Sequence, residues 1–459
     1  MHMLLSEIAA IVGGRLVGAD LAISAASIDT RTLQAGQLYV AVKGERFDGN
    51  EFMPAAEQAG AAAAIVHAGT NTYLPHIVVA DSRLALAELA GAWRRKANVK
   101  VVGVTGSNGK TTVKEMTAAI LSVAGNTLFT QGNLNNDIGV PLTLLRLDET
   151  HRYAVIEMGA NHPQEIAYTS RYAQADVVIL NNAGAAHLEG FGNLDGVARA
   201  KGEIIETLQA DGIAILNRDD CYFDYWQGLA GTRQILSFGF HQNADVCANN
   251  IKTELCTSAF RTVFQLTTPQ GETEAAINLA GRHNVLNALA ATAAALALGL
   301  RLPQIVQGLA NVQPVKGRLQ PLVGSFGSFG SLGNRIIDDT YNANASSLKV
   351  GLDVLMDCGG KPWLVLGAFG ELGPESEAMH TEIGAMIKAS GVVSLLATGD
   401  HARFAVASFG DGAEYFAAQE DLIAALKQRL KGDETILIKG SRAQHMEYVV
   451  AALVGRFEN

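Results

Sequence analysis

The stretch Val101–Ala124, VVGVTGSNGKTTVKEMTAAILSVA, decides how the rest of the chain is read. Val101, Val102 and Val104 around Gly103 form the short apolar run of a buried strand. Val113, Met116, Ile120 and Val123 then recur at the spacing of an amphipathic helix. Between them lies the turn Gly106-Ser107-Asn108-Gly109-Lys110-Thr111-Thr112. Its glycines let backbone N–H groups approach phosphate oxygens without a Cβ in the way, and the helix N-terminus adds its positive dipole end. In such a loop Lys110 pairs with the β- and γ-phosphates of a nucleoside triphosphate, and the Thr111 hydroxyl holds Mg²⁺. The strict P-loop pattern also wants a glycine where Val104 stands, so this is a variant P-loop with an intact Gly-Lys-Thr core. The plainer alternative is an ordinary strand-to-helix turn with a solvated lysine.

At 459 residues the chain exceeds what one hydrophobic core organises, and two or three domains are expected. A hydrophobic fraction of 48% with 17% charged residues is globular, and 48 glycines with few aromatics suit Ala-rich helices packed closely on sheets. A net charge of −10 argues against a nucleic-acid surface, which needs a clustered excess of Lys and Arg. Cys221, Cys247, Cys256 and Cys358 show no Cys-x-x-Cys spacing, so neither a metal knuckle nor a disulfide framework is implied. Met1–Ile11 lacks a signal-peptide pattern, and the apolar run at Leu286–Leu300 is too short to span a bilayer. A cytoplasmic protein without membrane insertion is expected.

Residues 1–83 read as a small α/β module, with strands at Gln37–Val42 and Ala62–Val66 and a helix at Phe52–Ala59. Two polar clusters, Ser27–Arg31 and Gly44–Asn50, are either functional loops or loop punctuation. A helix at Ser82–Lys96 leads into residues 84–313, the domain that carries the P-loop. There, three asparagines and two glycines within Gly132–Val140 make a ligand-facing loop or a structural turn. Tyr153–Ala160 is a second buried strand ending in an acid, Glu157. Ligands of parallel sheets sit at the strands' carboxyl ends, which makes Glu157 a Mg²⁺-ligand candidate, the alternative being a surface carboxylate. Asp176–Asn181 is a third such strand, and His187 follows a few residues beyond its end, on the catalytic side. Lys201 reads locally as a solvated lysine opening a helix, and Asn284 as either a helix cap or a base contact. Residues 314–459 alternate strands and helices in a doubly wound pattern, after a Gly/Ser-rich segment at Gly324–Gly333 read as a hairpin tip without chemistry. Asp338–Asn344 and Lys439–Arg442 fall at strand ends along the carboxyl edge of that domain.

Taken together these motifs resemble the Mur ligase family over essentially the whole chain. Thr105–Thr111 matches the family's TGxxGKT signature, and Gly132-Asn133-Leu134-Asn135-Asn136 its substrate-facing loop. DDTYNAN at Asp338–Asn344 is similar to the branch that adds D-alanyl-D-alanine. The resemblance implies a three-domain α/β protein: a small UDP-binding domain, a central P-loop ATPase domain and a C-terminal Rossmann-like domain. It implies ATP and Mg²⁺ as cofactors, with Gly106–Thr112, Asn284, Asn287, Arg318 and Asp339 on the nucleotide. Thr111, Glu157, His187 and Lys201 would hold metal, Lys201 as a carbamate. Catalysis would fall to Lys110, His187, Lys201 and Arg318. UDP-N-acetylmuramoyl-tripeptide and D-alanyl-D-alanine would be held by Ser27, Thr30, Arg31, Phe47, Asp48, Asn133, Asn135, Asn136, Tyr341, Asn342, Asn344, Lys439, Ser441 and Arg442. Three positions depart from the pattern: Lys316 and Ala345 stand where prolines are usual, and Ala368 where relatives carry an acid.

The expected reaction is amide formation through an acyl phosphate, on a monomer that closes over its substrates. The alternatives are another ligase of the superfamily, of the folylpolyglutamate synthase type, or a non-catalytic nucleotide-binding partner. The P-loop, Glu157, His187 and Lys201 speak against the second alternative. The UDP-binding module speaks against the first.

Overall fold

In the computed structural model the described residues are 1–44, 47–184, 188–255, 259–324, 335–370 and 372–454. His187 and most of the Gly/Ser-rich segment therefore lie outside them.

The described residues form a nine-stranded sheet, a six-stranded sheet, a five-stranded sheet and a two-stranded ribbon. In the nine-stranded sheet the P-loop strand Lys100–Thr105 lies between Tyr153–Glu157 and Val177–Leu180, both parallel to it. The three strands carry Val, Ile and Leu on both faces because helices cover both sides, the pattern that parallel sheets require. Register sets the site: Glu157 pairs with Val104 and Leu180 with Thr105, so Thr105, Glu157 and Asn181 reach the same edge. The helix Lys110–Ser122 runs from the loop and is covered by the Ala-rich helix Arg282–Ala297, whose small side chains permit close approach.

Beyond Gln234–Gly239 the sheet continues through Val246–Leu255 into an antiparallel meander with Phe260–Thr268 and Gly271–Ile277. Phe260–Thr268 alternates buried and more exposed residues as a half-covered strand should. The six-stranded sheet has the order Gln320–Val323, Arg335–Asp339, Glu434–Lys439, Lys361–Gly367, Ser394–Thr398, Ala413–Phe416, antiparallel only at its first pair. The five-stranded sheet runs Arg15–Val17, His76–Val79, Ala63–His67, Leu38–Val40, Ala26–Ser27.

Two local readings are corrected. Lys201 does not open a helix as a solvated residue: it sits inside Leu194–Glu206, 1% exposed, on the face that buries Val197, Ile204 and Ile205. Asn284 lies within the helix Arg282–Ala297 rather than capping it, and its Nδ2 donates to the Ala280 carbonyl at 2.8 Å.

Candidate active site

The P-loop is held by a set of asparagines. Gly109 adopts φ 79°, and a Cβ there would stand 2.5 Å from Asn287 Oδ1 and 2.6 Å from Asn181 Nδ2, so only glycine fits. Asn182 takes the Ser107 N–H on its carbonyl at 3.0 Å and the Asn108 N–H on its side-chain oxygen at 2.9 Å. Asn181 Nδ2 reaches the Asn108 carbonyl and Asn287 Oδ1, each at 3.0 Å, and Asn287 Nδ2 reaches Asn284 Oδ1 at 3.2 Å. With those two loop amides engaged, the anion cradle centres on the first turn of the helix Lys110–Ser122, whose N–H groups lack intrahelical acceptors. Lys110 Nζ bends back onto the Gly106 carbonyl at 2.7 Å. Burial pushes its pKa down, Glu157 opposes that shift, and Arg318 adds to it.

Around Lys110 stand Thr111, Glu157 and Arg318. The Glu157 carboxylate is 2% exposed. Its Oε1 accepts from Asn135 Nδ2 at 2.9 Å, while Oε2 is buried with no hydrogen-bond partner among the described residues. An unpaired buried carboxylate oxygen in a polar cleft is what a cation ligand requires. The described residues gather no cluster of three or more His, Cys, Asp or Glu, so any ion here would also draw on the Thr111 hydroxyl and on phosphate oxygens. Arg318 Nη2 donates to Thr111 Oγ1 at 3.2 Å, its guanidinium lies 4.2 Å from the Tyr341 ring centre, and its Nε is buried without a partner.

Two adjoining cavities open from this point. One, of about 280 Å³, has apolar walls such as Leu279, Val312 and Val350, with Thr112, His283, Asn284 and Asn287 at its polar end. Burial drives the His283 pKa down to about 4, so the ring is neutral there. The other, of about 300 Å³, is polar and is lined by Lys110, Thr111, Asn133, Asn135, Asn136, Glu157, Tyr341, Asn342, Asn344 and Lys439. Asn108, Gly109, Arg318, Asp339 and Ser347 line both.

The C-terminal sheet contributes its carboxyl edge. Lys439 Nζ ion-pairs with Asp339 and donates to the Asn342 carbonyl at 3.1 Å, which fixes the DDTYNAN segment. Asn344 Oδ1 accepts from the Ser347 N–H and so caps the helix Ala345–Asp357. Asn344, Ser346 and Asn108 close a triangle: Asn108 Nδ2 donates to Ser346 Oγ at 3.0 Å, Ser346 Oγ to Asn344 Oδ1 at 2.8 Å, and Asn344 Nδ2 to Asn108 Oδ1 at 3.1 Å.

Lys201 is a buried amine 5.3 Å from the Phe191 ring centre, and burial drives its pKa to about 7, with Lys110 adding to the shift and Glu203 and Glu165 opposing it.

Other expected residues stand apart from both cavities. Ser441 Oγ donates to the Ala368 carbonyl at 2.8 Å, and Arg442 pairs with Glu447 at 3.0 Å. In the N-terminal module Ser27 Oγ reaches the Asp29 carbonyl, next to Thr30, and Arg31 clamps the Asp29 carboxylate, pulling its pKa to about 2. Asp48 pairs with Lys43 at 3.5 Å, and Phe47 presents a ring that is 71% exposed. Sequence reasoning missed the roles of Asn181, Asn182 and Ser346. Two asparagines straight after a buried strand were the available signal for the first two.

Three family models match the chain: "Mur ligase family, catalytic domain" over residues 22–104, "Mur ligase middle domain" over 104–295, and "Mur ligase, glutamate ligase domain" over 317–442. The UDP-N-acetylmuramoyl-tripeptide--D-alanyl-D-alanine ligase of Escherichia coli (strain K12) is 45% identical over 452 residues, covering 98% of both chains. The enzyme of the same name from Bacillus subtilis (strain 168) is 34% identical over 439 residues, covering 93% of this chain and 92% of that one. Crystal structure I of MurF from Acinetobacter baumannii superposes with a TM-score of 0.91 at 38% identity, covering 99% of both chains. The MurF ligase from Thermotoga maritima in complex with ADP gives 0.81 at 27% identity, covering 93% of this chain and 96% of that one. With its motifs, its sheets and these full-length likenesses in agreement, the chain belongs to the Mur ligase family.

Proposed function

We propose that this protein is an ATP-dependent amide ligase that joins D-alanyl-D-alanine to UDP-N-acetylmuramoyl-tripeptide, giving the pentapeptide precursor of peptidoglycan with release of ADP and phosphate. The observation that carries the reading is the meeting of Lys110, Thr111, Glu157 and Arg318 where an apolar and a polar cavity join. A carboxylate must be activated before an amine can displace oxygen from it, and transfer of the γ-phosphoryl group to the tripeptide carboxylate does this. Lys110 and Arg318 are placed to neutralise the charge that spreads over the transferring group. The dipeptide amine then attacks the acyl carbon and phosphate leaves.

The adenine end of ATP suits the apolar cavity, with Asn284 and Asn287 at its mouth and the helix N-terminus under the phosphates. Thr111 and Glu157 would hold Mg²⁺, which supplies charge neutralisation between the phosphates and the incoming carboxylate. The buried Lys201 amine, whose neutral form is well populated near pH 7, suits carbamylation, which would turn it into a second anionic ligand alongside His187. Tyr341, Asn342, Asn344, Lys439, Ser441 and Arg442 would receive the dipeptide, and Asn133, Asn135 and Asn136 the tripeptide end. Ser27, Thr30, Arg31, Phe47 and Asp48 would hold the UDP moiety. We divide the chain into working domains at 1–83, 84–313 and 314–459, and assign the reaction to a monomer in the cytoplasm. No helix among the described residues is long and apolar enough to cross a membrane.

The deciding experiment measures phosphate release from ATP with UDP-N-acetylmuramoyl-tripeptide, with and without D-alanyl-D-alanine. Release that needs both substrates, with the product heavier by one dipeptide, is expected. Stimulation by a single amino acid instead would overturn the branch and leave only the ligase core.

A further inference from the structure

The C-terminal unit contains a buried histidine that the reaction above does not use. His380, on the helix Ser376–Ala389, is completely buried. Its Nδ1 lies 2.7 Å from the Ser376 carbonyl, which accepts only, so Nδ1 carries the proton. Nε2 is then left as an acceptor, and the Phe369 N–H donates to it at 3.0 Å. Rings pack on both sides: Phe369 edge-on at 5.9 Å and His401 stacked at 5.8 Å.

Phe369 belongs to the turn Gly367-Ala368-Phe369-Gly370, which leaves the strand Lys361–Gly367 beside Lys439, the two strands pairing Leu366 with Lys439. This turn lies at the carboxyl edge of a parallel sheet, where ligands of such sheets bind. The turn is held through its backbone at Ala368. Its carbonyl takes Ser441 Oγ at 2.8 Å and the Ser441 N–H at 3.3 Å, and its N–H is given to the Thr398 carbonyl at 3.0 Å. The two strand exits touch: a Cβ on Gly440 would stand 3.0 Å from Gly367 Cα. Hydrogen bonds therefore run from the imidazole through Phe369 and Ala368 to Ser441, two residues from the Lys439 that lines the polar cavity.

We propose that His380 is a positioning residue for the acceptor dipeptide: its neutral imidazole holds the Gly367–Gly370 turn, and the turn, through Ser441 and Gly440, sets Lys439 against the polar cavity. The proposal rests on that cavity receiving D-alanyl-D-alanine, as argued above. Among the described residues no other group accepts from the Phe369 N–H, and an apolar residue of similar size would leave that amide buried and unpaired.

The test compares the full-length His380→Leu, His380→Gln and Asn342→Ala enzymes with wild type. It reads KM for D-alanyl-D-alanine, KM for ATP, kcat, thermal midpoint and hydrogen exchange at the Phe369 amide. His380→Leu should raise the dipeptide KM roughly tenfold, the scale of one lost buried hydrogen bond, while the ATP KM stays within about twofold. His380→Gln, which keeps an acceptor, should restore most of the dipeptide KM in step with Phe369 amide protection. A uniform decline of every parameter with thermal midpoint would reduce His380 to core packing and overturn the proposal. A dipeptide KM in His380→Gln that moves independently of Phe369 protection would overturn it as well, even if His380→Leu fails to fold. If Asn342→Ala leaves the dipeptide KM unchanged, the acceptor site itself is misplaced. If it raises that KM and the His380 variants do not, only the proposal for His380 falls.

Discussion

Arg318, at the entry to the C-terminal unit, donates from Nη2 to the hydroxyl of Thr111 in the central unit at 3.2 Å. The contact joins the first turn of the P-loop helix to the segment that leads into the C-terminal sheet. Stacking on Tyr341 aims the guanidinium, and its Nε is buried with no hydrogen-bond partner among the described residues. Lysine carries the charge but neither the planar fork nor the stack. Arg318→Lys should lower kcat about 100-fold, the scale of removing one preorganised donor to developing charge. Affinity for the UDP-linked substrate, measured by calorimetry, should be unchanged.

Glu157→Gln keeps the size of the side chain and the possibility of a bond to Asn135 but removes the charge of the orphaned Oε2. The variant should need roughly tenfold more Mg²⁺ for half-maximal phosphate release, an estimate for the loss of one anionic ligand. A Mg²⁺ titration at saturating ATP reads this directly. Unchanged Mg²⁺ demand would exclude Glu157 from the ion.

Lys201 is a buried amine whose charge costs stability. Its pKa is depressed to about 7 in the folded chain, whereas an unfolded chain leaves lysine near 10.4. Between those values the unfolded state binds the extra proton, so the stability contributed at this site rises with pH from about 7 to about 10. The cost of the buried charge is fully present below about 7. Lys201→Met should therefore raise the thermal midpoint at pH 6 and gain little at pH 10, in bicarbonate-free buffer. Its kcat should fall at least about 100-fold. A lower midpoint at pH 6 would contradict the assignment of a costly buried amine.

The Asn108–Ser346–Asn344 triangle ties the P-loop to the cap of the helix Ala345–Asp357. Ser346→Ala breaks two of its three bonds without altering volume much. The KM for ATP should rise about three- to tenfold, from the usual net worth of a hydrogen bond. The thermal midpoint should shift little, because the contact lies between units and not inside a core.

Trp226 is fully buried, and its indole N–H donates to the Ala198 carbonyl on the helix that bears Lys201. Trp226→Ala should cost about 3–5 kcal/mol of stability, the range for large core truncations. Denaturant unfolding measures it, and activity at low temperature should outlast the stability loss.

The central unit was readable because a strand with both faces buried, a Gly-rich turn and an amphipathic helix leave period-specific traces at Val101–Ala124. Alternation in the last third gave the doubly wound sheet for the same reason. The meander Val246–Ile277 went unread although Phe260–Thr268 carries a period-two pattern. Lys201 was misread because one lysine was judged alone: Val197, Lys201, Ile204 and Leu208 recur at helical spacing and place it on the buried face. The asparagine set around Gly109 and the Ser346 triangle tie together segments of the chain more than seventy positions apart. Neither periodicity nor local capping encodes such pairings.

The two cavities share Asn108, Gly109, Arg318, Asp339 and Ser347. If the cavities take nucleotide and acceptor as proposed, a single small molecule lodged against that common wall would exclude both. Either substrate in sufficient excess would compete it off, and resistance by substitution at the wall would fall on residues that line both cavities.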